Sequence, residues 1–146
     1  MRQGLRDKIA AAFPLRPAPG YRFSDAIRDD DHGSSRNVFD ESWSTWAEIE
    51  TWQIEKASVF FSFAPSDAAA YATPRFMLYV LDLIEGAIPQ SDSDSGDLFI
   101  WWLQRQRLDL YAESGFTQEQ TEVVKMFLEE IATDSDCAFA LGVGGD

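Results

Sequence analysis

At 146 residues the chain has the usual length of one domain, and with 45% hydrophobic residues it has the composition of a packed globular fold rather than a disordered chain. A single cysteine, Cys137, rules out an internal disulfide. Twenty-five acidic residues against twelve basic ones leave a net charge of −13, which argues against nucleic acid and anionic membrane as partners and favours a basic protein partner or simple solubility.

In chain order, residues 1–13 are charged and amphipathic and lack an apolar signal core, so the chain is expected to be cytoplasmic. Leu5, Ile9, Ala12 and Phe13 fall at i, i+4, i+7 and i+8, which predicts a helix that Pro14 ends. Pro17, Pro19 and Gly20 then make a stiff turn. Residues 24–40 read as a solvated loop around Asp29, Asp30, Asp31, His32 and Gly33. A second helix is expected from about 41 to 61, with Trp43, Trp46, Ile49, Ala57 and Phe60 on one broad face that Glu50 and Gln53 interrupt. The run 58–63 is also readable as extended.

Pro65, Ser66 and Asp67 signal a helix start, residues 68–71 a short helical turn, and Pro74 the first position of a further helix. Residues 74–85 are apolar nearly all round, which predicts a central helix with Phe76, Val80, Leu83 and Ile84 nearly fully buried. Gly86 and Pro89 end it, and Asp82 interrupts an apolar run too short to span a bilayer. Residues 91–97 read as a second acidic loop, and residues 98–110 as a helix carrying Trp101 and Trp102 that Gly115 breaks. Thr117 and Gln120 form a capping box that opens the clearest helix. Val123, Val124, Phe127, Leu128 and Ile131 line one of its faces, and Glu122, Lys125 and Glu129 the other. Residues 134–146 read as a flexible tail or an edge strand. The sum is one domain, mainly α: a bundle of five or six helices with room for a short C-terminal strand.

Charge is unevenly placed. Residues 1–22 hold five bases against Asp7, a net +4, whereas residues 82–97 hold five acids and no base. Catalytic constellations are missing. His32 is the only histidine and falls in a polar loop, so it lacks the rigid support that nucleophilic or general-base work needs. One histidine and one cysteine cannot supply the usual zinc ligands. A calcium loop starting at Asp92 would need Gly at its sixth position and Glu at its twelfth, where this chain has Asp97 and Leu103. Gly142, Gly144 and Gly145 have no helix after them, so no phosphate loop forms there. No catalytic residue, metal ligand or cofactor is therefore expected. Trp43, Trp46 and at least one of Trp101 and Trp102 are expected in the core. Trp52 lies off the main apolar face of its expected helix and either packs on a neighbour or anchors a partner.

The order Ala12-Phe13, Pro19-Gly20, Phe39, Trp46, Phe63-Ala64-Pro65, Tyr71, Pro74, then Phe116-Thr117 with Gln120, resembles an uncharacterised bacterial family of small helical proteins, over roughly residues 5–132. The resemblance implies a small helical bacterial protein and brings no assigned catalytic residues. The function expected from these readings is a non-catalytic acidic protein-binding domain, such as an immunity- or antitoxin-type inhibitor of a basic bacterial toxin. Its candidate contacts are Asp29, Asp30, Asp31, Trp52, Asp92, Asp94 and Asp97. The alternatives are a structural or accessory subunit of a larger complex, and an unrecognised enzyme working through carboxylates alone.

Overall fold

Ser66–Glu85 forms one continuous twenty-residue helix, α5, where two pieces parted at Pro74 were expected. Proline inside a helix forfeits one hydrogen bond and costs about 3 kcal/mol. The Thr73 hydroxyl donates to the Ala69 carbonyl at 2.8 Å in the same turn, and Phe76, Met77, Tyr79, Val80 and Leu81 are all buried just beyond it. Each such side chain contributes roughly 1.5–3 kcal/mol on burial, so tertiary packing offsets the proline. Gly86, at φ +73°, ends the helix: its N–H donates to Leu83 and that of Ala87 to Asp82, the pairing of a left-handed helix stop. Because the helix runs out there, Leu83 and Ile84 are only half-buried, not enclosed as expected; Phe76 and Val80 are fully buried.

The computed structural model describes residues 2–30, 41–106 and 115–133. Around α5 stand α1 (Gln3–Ala12), α2 (Phe23–Asp30), a 3₁₀ turn (Trp46–Glu48), α3 (Thr51–Glu55), α4 (Phe60–Phe63), α6 (Ser95–Gln104) and α7 (Gln118–Ala132), with no strand among the described residues. The protein is mainly helical, and its seven described α-helices exceed the five or six expected. Residues 134–146 and His32 lie outside the described residues. None of the described helices is long and apolar enough to cross a membrane.

Two sequence expectations are corrected on the way into the core. Residues 24–30 are not loop but most of α2, so Asp29 and Asp30 form its last turn. Its first turn is held from a distance: the Glu41 carboxylate accepts the N–H groups of Phe23 at 2.7 Å and Ser24 at 2.9 Å, while Asp25 accepts that of Arg22 at 2.7 Å. The single helix expected from 41 to 61 is instead the 3₁₀ turn, α3 and α4. The breaks are local: Glu50, extended at ψ 155°, starts a new capping box with Gln53, and the backbone bends again before α4. Residues 60–63 are helical, not extended. The side chains expected inside arrive there regardless: Trp43, Trp46, Ile49, Ala57 and Phe60 are buried.

Aromatic rings dominate the centre. Phe23 meets Phe60 at 4.8 Å, Trp43 at 5.6 Å and Phe76 at 5.9 Å between centroids. Phe61 bridges Phe76 at 4.8 Å, Phe99 at 5.1 Å and Trp102 at 4.5 Å. α7 follows its expected pattern, with Thr117 and Gln120 exchanging both capping hydrogen bonds and Val123, Val124, Phe127 and Ile131 buried.

The basic N-terminus is used inside the molecule. Arg6 pairs with Glu85 at 2.6 Å and Asp82 at 2.9 Å, and Arg2 with Glu130 at 2.9 Å, which ties α1 to α5 and α7. The hydrogen bond from Arg6 holds the Glu85 carboxyl below its ordinary 4.5, against the opposing effect of burial. A depressed carboxyl contributes stability that is complete above its unfolded value and lost as pH falls through the folded one. Melting temperature is therefore expected to hold from pH 7 to about 5 and to decline below that. Glu85→Gln should melt lower than wild type at pH 7 and the gap should narrow as acid protonates the Glu85 carboxylate; parallel curves at every pH would show that this carboxylate does not carry the acid limb.

Candidate functional site

Neutralisation is uneven, and Asp30, Asp67, Glu119, Glu122 and Glu129 are among the described acids that take no partner. Asp82, Glu85 and Glu130 are paired with arginines; Asp25 pairs with Arg28 at 3.0 Å; and the Tyr21 hydroxyl donates to Asp29 at 2.5 Å. Among the described residues, the side chains of Asp92, Asp94 and Asp97 accept no hydrogen bond and join no ion pair. These three precede or open α6.

The start of α6 explains why they gather. Ser95 and Gly96 are buried because the helix begins against α5: a Cβ at Gly96 would stand 3.5 Å from Tyr79 and 3.8 Å from Val80. The preceding turn is pinned to the end of α3, where the Ser93 hydroxyl donates to the Glu55 carbonyl at 2.8 Å. The buried Tyr79 hydroxyl donates to the Glu55 carboxylate at 2.9 Å, and burial together with that carboxylate pushes the phenol well above its ordinary range. Asp94 and Asp97 are thereby held at a helix N-terminus, where the helix dipole stabilises negative charge. Burial, with a contribution from Asp94, pushes the Asp97 carboxyl above its usual value.

The rest of α6 divides into two faces. Phe99, Ile100 and Leu103 point into the core, and Trp102 packs half-buried on Phe61. Leu98 and Trp101, three residues apart, are exposed, Trp101 by 51%. Asp94 and Asp97 lie one turn before them and Arg105 one turn after, its guanidinium 3.8 Å from the Trp101 ring centre. α3 packs against α6 and carries Trp52, which is 40% exposed.

Trp52 lies on α3, which packs against α6, and Asp92, Asp94 and Asp97 precede or open α6. Asp97 belongs to the first turn of α6, not to a loop, and Asp92 and Asp94 precede it. Asp29 and Asp30 belong to α2, which packs on α4, as does α6; Asp31 lies outside the described residues. At least one of Trp101 and Trp102 was expected in the core; Trp102 is half-buried and Trp101 exposed, and Leu98 was not singled out as a surface residue. Begun at Ser95, the helix places 94, 97, 98, 101 and 105 on one stripe, and that spacing was the available signal.

A second feature is a cleft of about 220 Å³ between the end of α1 and the starts of α5 and α7. It is smaller than the 300 Å³ or so of ordinary ligand pockets. Its polar floor is already engaged: Trp46 donates through its indole to Phe13 at 3.1 Å and through its backbone to the Tyr71 hydroxyl at 3.0 Å, that hydroxyl donates to the Arg16 carbonyl, and Gln120 donates to Ala12 at 3.1 Å. The cleft is a joint between helices. No group of three or more His, Cys, Asp or Glu among the described residues is placed to hold a metal ion. Compared with protein-family models, with curated proteins and with solved structures, the chain matches none.

Proposed function

We propose that this chain is a non-catalytic, acidic protein-binding domain, an immunity- or antitoxin-type inhibitor that neutralises a basic toxin domain in the bacterial cytoplasm. The observation that carries the reading is the α6 stripe, where unpaired Asp94 and Asp97, with Asp92 just before them in the chain, adjoin exposed Leu98 and Trp101. Apolar anchors beside fixed charge are the makings of an interface: the aromatic supplies the desolvated contact, and the charge supplies steering and register. The resemblance noted for residues 5–132 supports the bacterial setting. An accessory-subunit role would also use the exposed tryptophans, but it gives no account of the unneutralised acids beside them. The raised carboxyl of Asp97 is the feature an acid–base enzyme would need, yet Asp97 does not line the cleft beside α1, α5 and α7.

The test is made on partners captured from the source cells by the immobilised full chain, followed by stopped-flow association. Asp92→Asn, Asp94→Asn and Asp97→Asn together should slow association with a captured basic partner about tenfold at low salt, with little change in dissociation. The difference should fade as salt rises, because the screening length falls from about 10 Å at 0.1 M to about 3 Å at 1 M. Association at the wild-type rate in low salt would sink the proposal.

A further inference from the structure

Resting on that reading, we infer that Arg105 is an internal placeholder: its guanidinium covers the face of Trp101 that an arginine of the basic partner occupies in the complex. Both residues are on the surface, and the cation stands 3.8 Å from the ring centre, so one face of the indole already holds a cation. Arg105 Nη1 also donates to the Trp101 carbonyl at 3.2 Å, which keeps it over its own helix end.

Arg105 does not pair with the described acids of the stripe. Asp97, Trp101 and Arg105 are spaced i, i+4, i+8, so Asp97 and the ring are neighbours, whereas Asp97 and Arg105 are separated by roughly 12 Å of helix. No ion pair joins them among the described residues, and Asp94 and Asp97 are left repelling one another. An incoming arginine can satisfy both ends at once, its plane stacking on Trp101 and its fork engaging Asp97. Lysine, a compact point charge without a plane, cannot. An exposed cation–aromatic contact is worth about two- to fivefold in an equilibrium and a desolvated one considerably more, so exchange favours the incoming arginine once the interface closes over it.

The probes are nona-arginine and nona-lysine peptides, each fluorescently labelled and titrated by anisotropy at low salt. The proteins are the full chain, Arg105→Gln, Trp101→Ala, the double variant, and Lys56→Gln as a control that removes one exposed positive charge beside α6. Circular dichroism confirms that each is folded. Arg105→Gln should tighten nona-arginine binding about two- to fivefold beyond Lys56→Gln, with no such excess for nona-lysine. The excess should vanish when Trp101 is alanine. If Arg105→Gln merely equals Lys56→Gln, or its excess persists without the indole, Arg105 is only a helix-end cap or a charge, and the placeholder is overturned while the binding proposal stands. If wild type and the Asp92/Asp94/Asp97 triple variant bind nona-arginine equally, the proposed function fails and this inference with it.

Discussion

Val80→Asp should abolish folding: the purified chain should show no cooperative thermal transition and no near-ultraviolet signal. Val80 is 2% exposed on the central helix and faces α6, where its Cγ2 would lie 3.8 Å from a Cβ at Gly96. There is no slack at that crossing for water to follow a carboxylate inward. Burying an unpaired ion costs several kcal/mol even after relaxation, against a total stability of about 5–15 kcal/mol for a domain. The contrast is Leu83→Asp, one turn on and half-buried beside the helix end, which should melt lower but still cooperatively. A cooperative melt of Val80→Asp within a few degrees of wild type would show that α5 is not the centre of the core.

The next largest loss should come from Phe23→Ala, about 3–5 kcal/mol, with the urea midpoint lowered and the slope unchanged. Phe23 is fully buried and is the side chain by which α2 meets Trp43, Phe60 and Phe76. Truncation leaves three rings around a void, and ring faces at these separations cannot close it without moving α4 or α5. For a domain of this size the expected drop in melting temperature is on the order of 10 °C. A cost under about 1 kcal/mol would mean that α2 is docked by Glu41 and Arg22 alone. Arg22 does contribute: its guanidinium donates to the Trp43 carbonyl at 2.9 Å and lies 4.2 Å from the Trp43 ring centre.

The candidate face was half legible. Asp92, Asp94, Asp97 and Trp52 were singled out from charge density and from a position off the apolar stripe; the three acids stand around the start of α6, and Trp52 is on α3, which packs against that helix. Asp29 and Asp30 looked the same in sequence, and only the fold shows that they belong to α2, with Asp29 tied to Tyr21 just before that helix. Charge counting cannot tell an acid that the fold uses from one that it leaves open, because the pairing partner is typically distant in the chain. Arg6 to Glu85 and Arg2 to Glu130 are such pairs. Trp101 is another case: the sequence left open which of Trp101 and Trp102 is buried, and the packing of α5 on α6 leaves Trp101 outside.

What the sequence determined by itself was whatever depends on a few neighbouring residues. The α1 and α7 stripes follow from a 3.6-residue period, the start of α7 from Thr117 reaching its own third residue, and the end of α5 from the one residue type that takes φ +73° without strain. The tertiary structure decided the rest. It continued α5 through Pro74, because the side chains on either side of the break are buried together. It made α2 a helix, because Glu41, folded back from across residues 31–40, satisfies N–H groups that no residue within the helix reaches. It also left the outer face of α6 open, because Gly96 lets α5 come close on the other side and draws Phe99, Ile100 and Leu103 inward. Each of these rests on contacts between residues far apart in the chain, whose energies no local pattern contains.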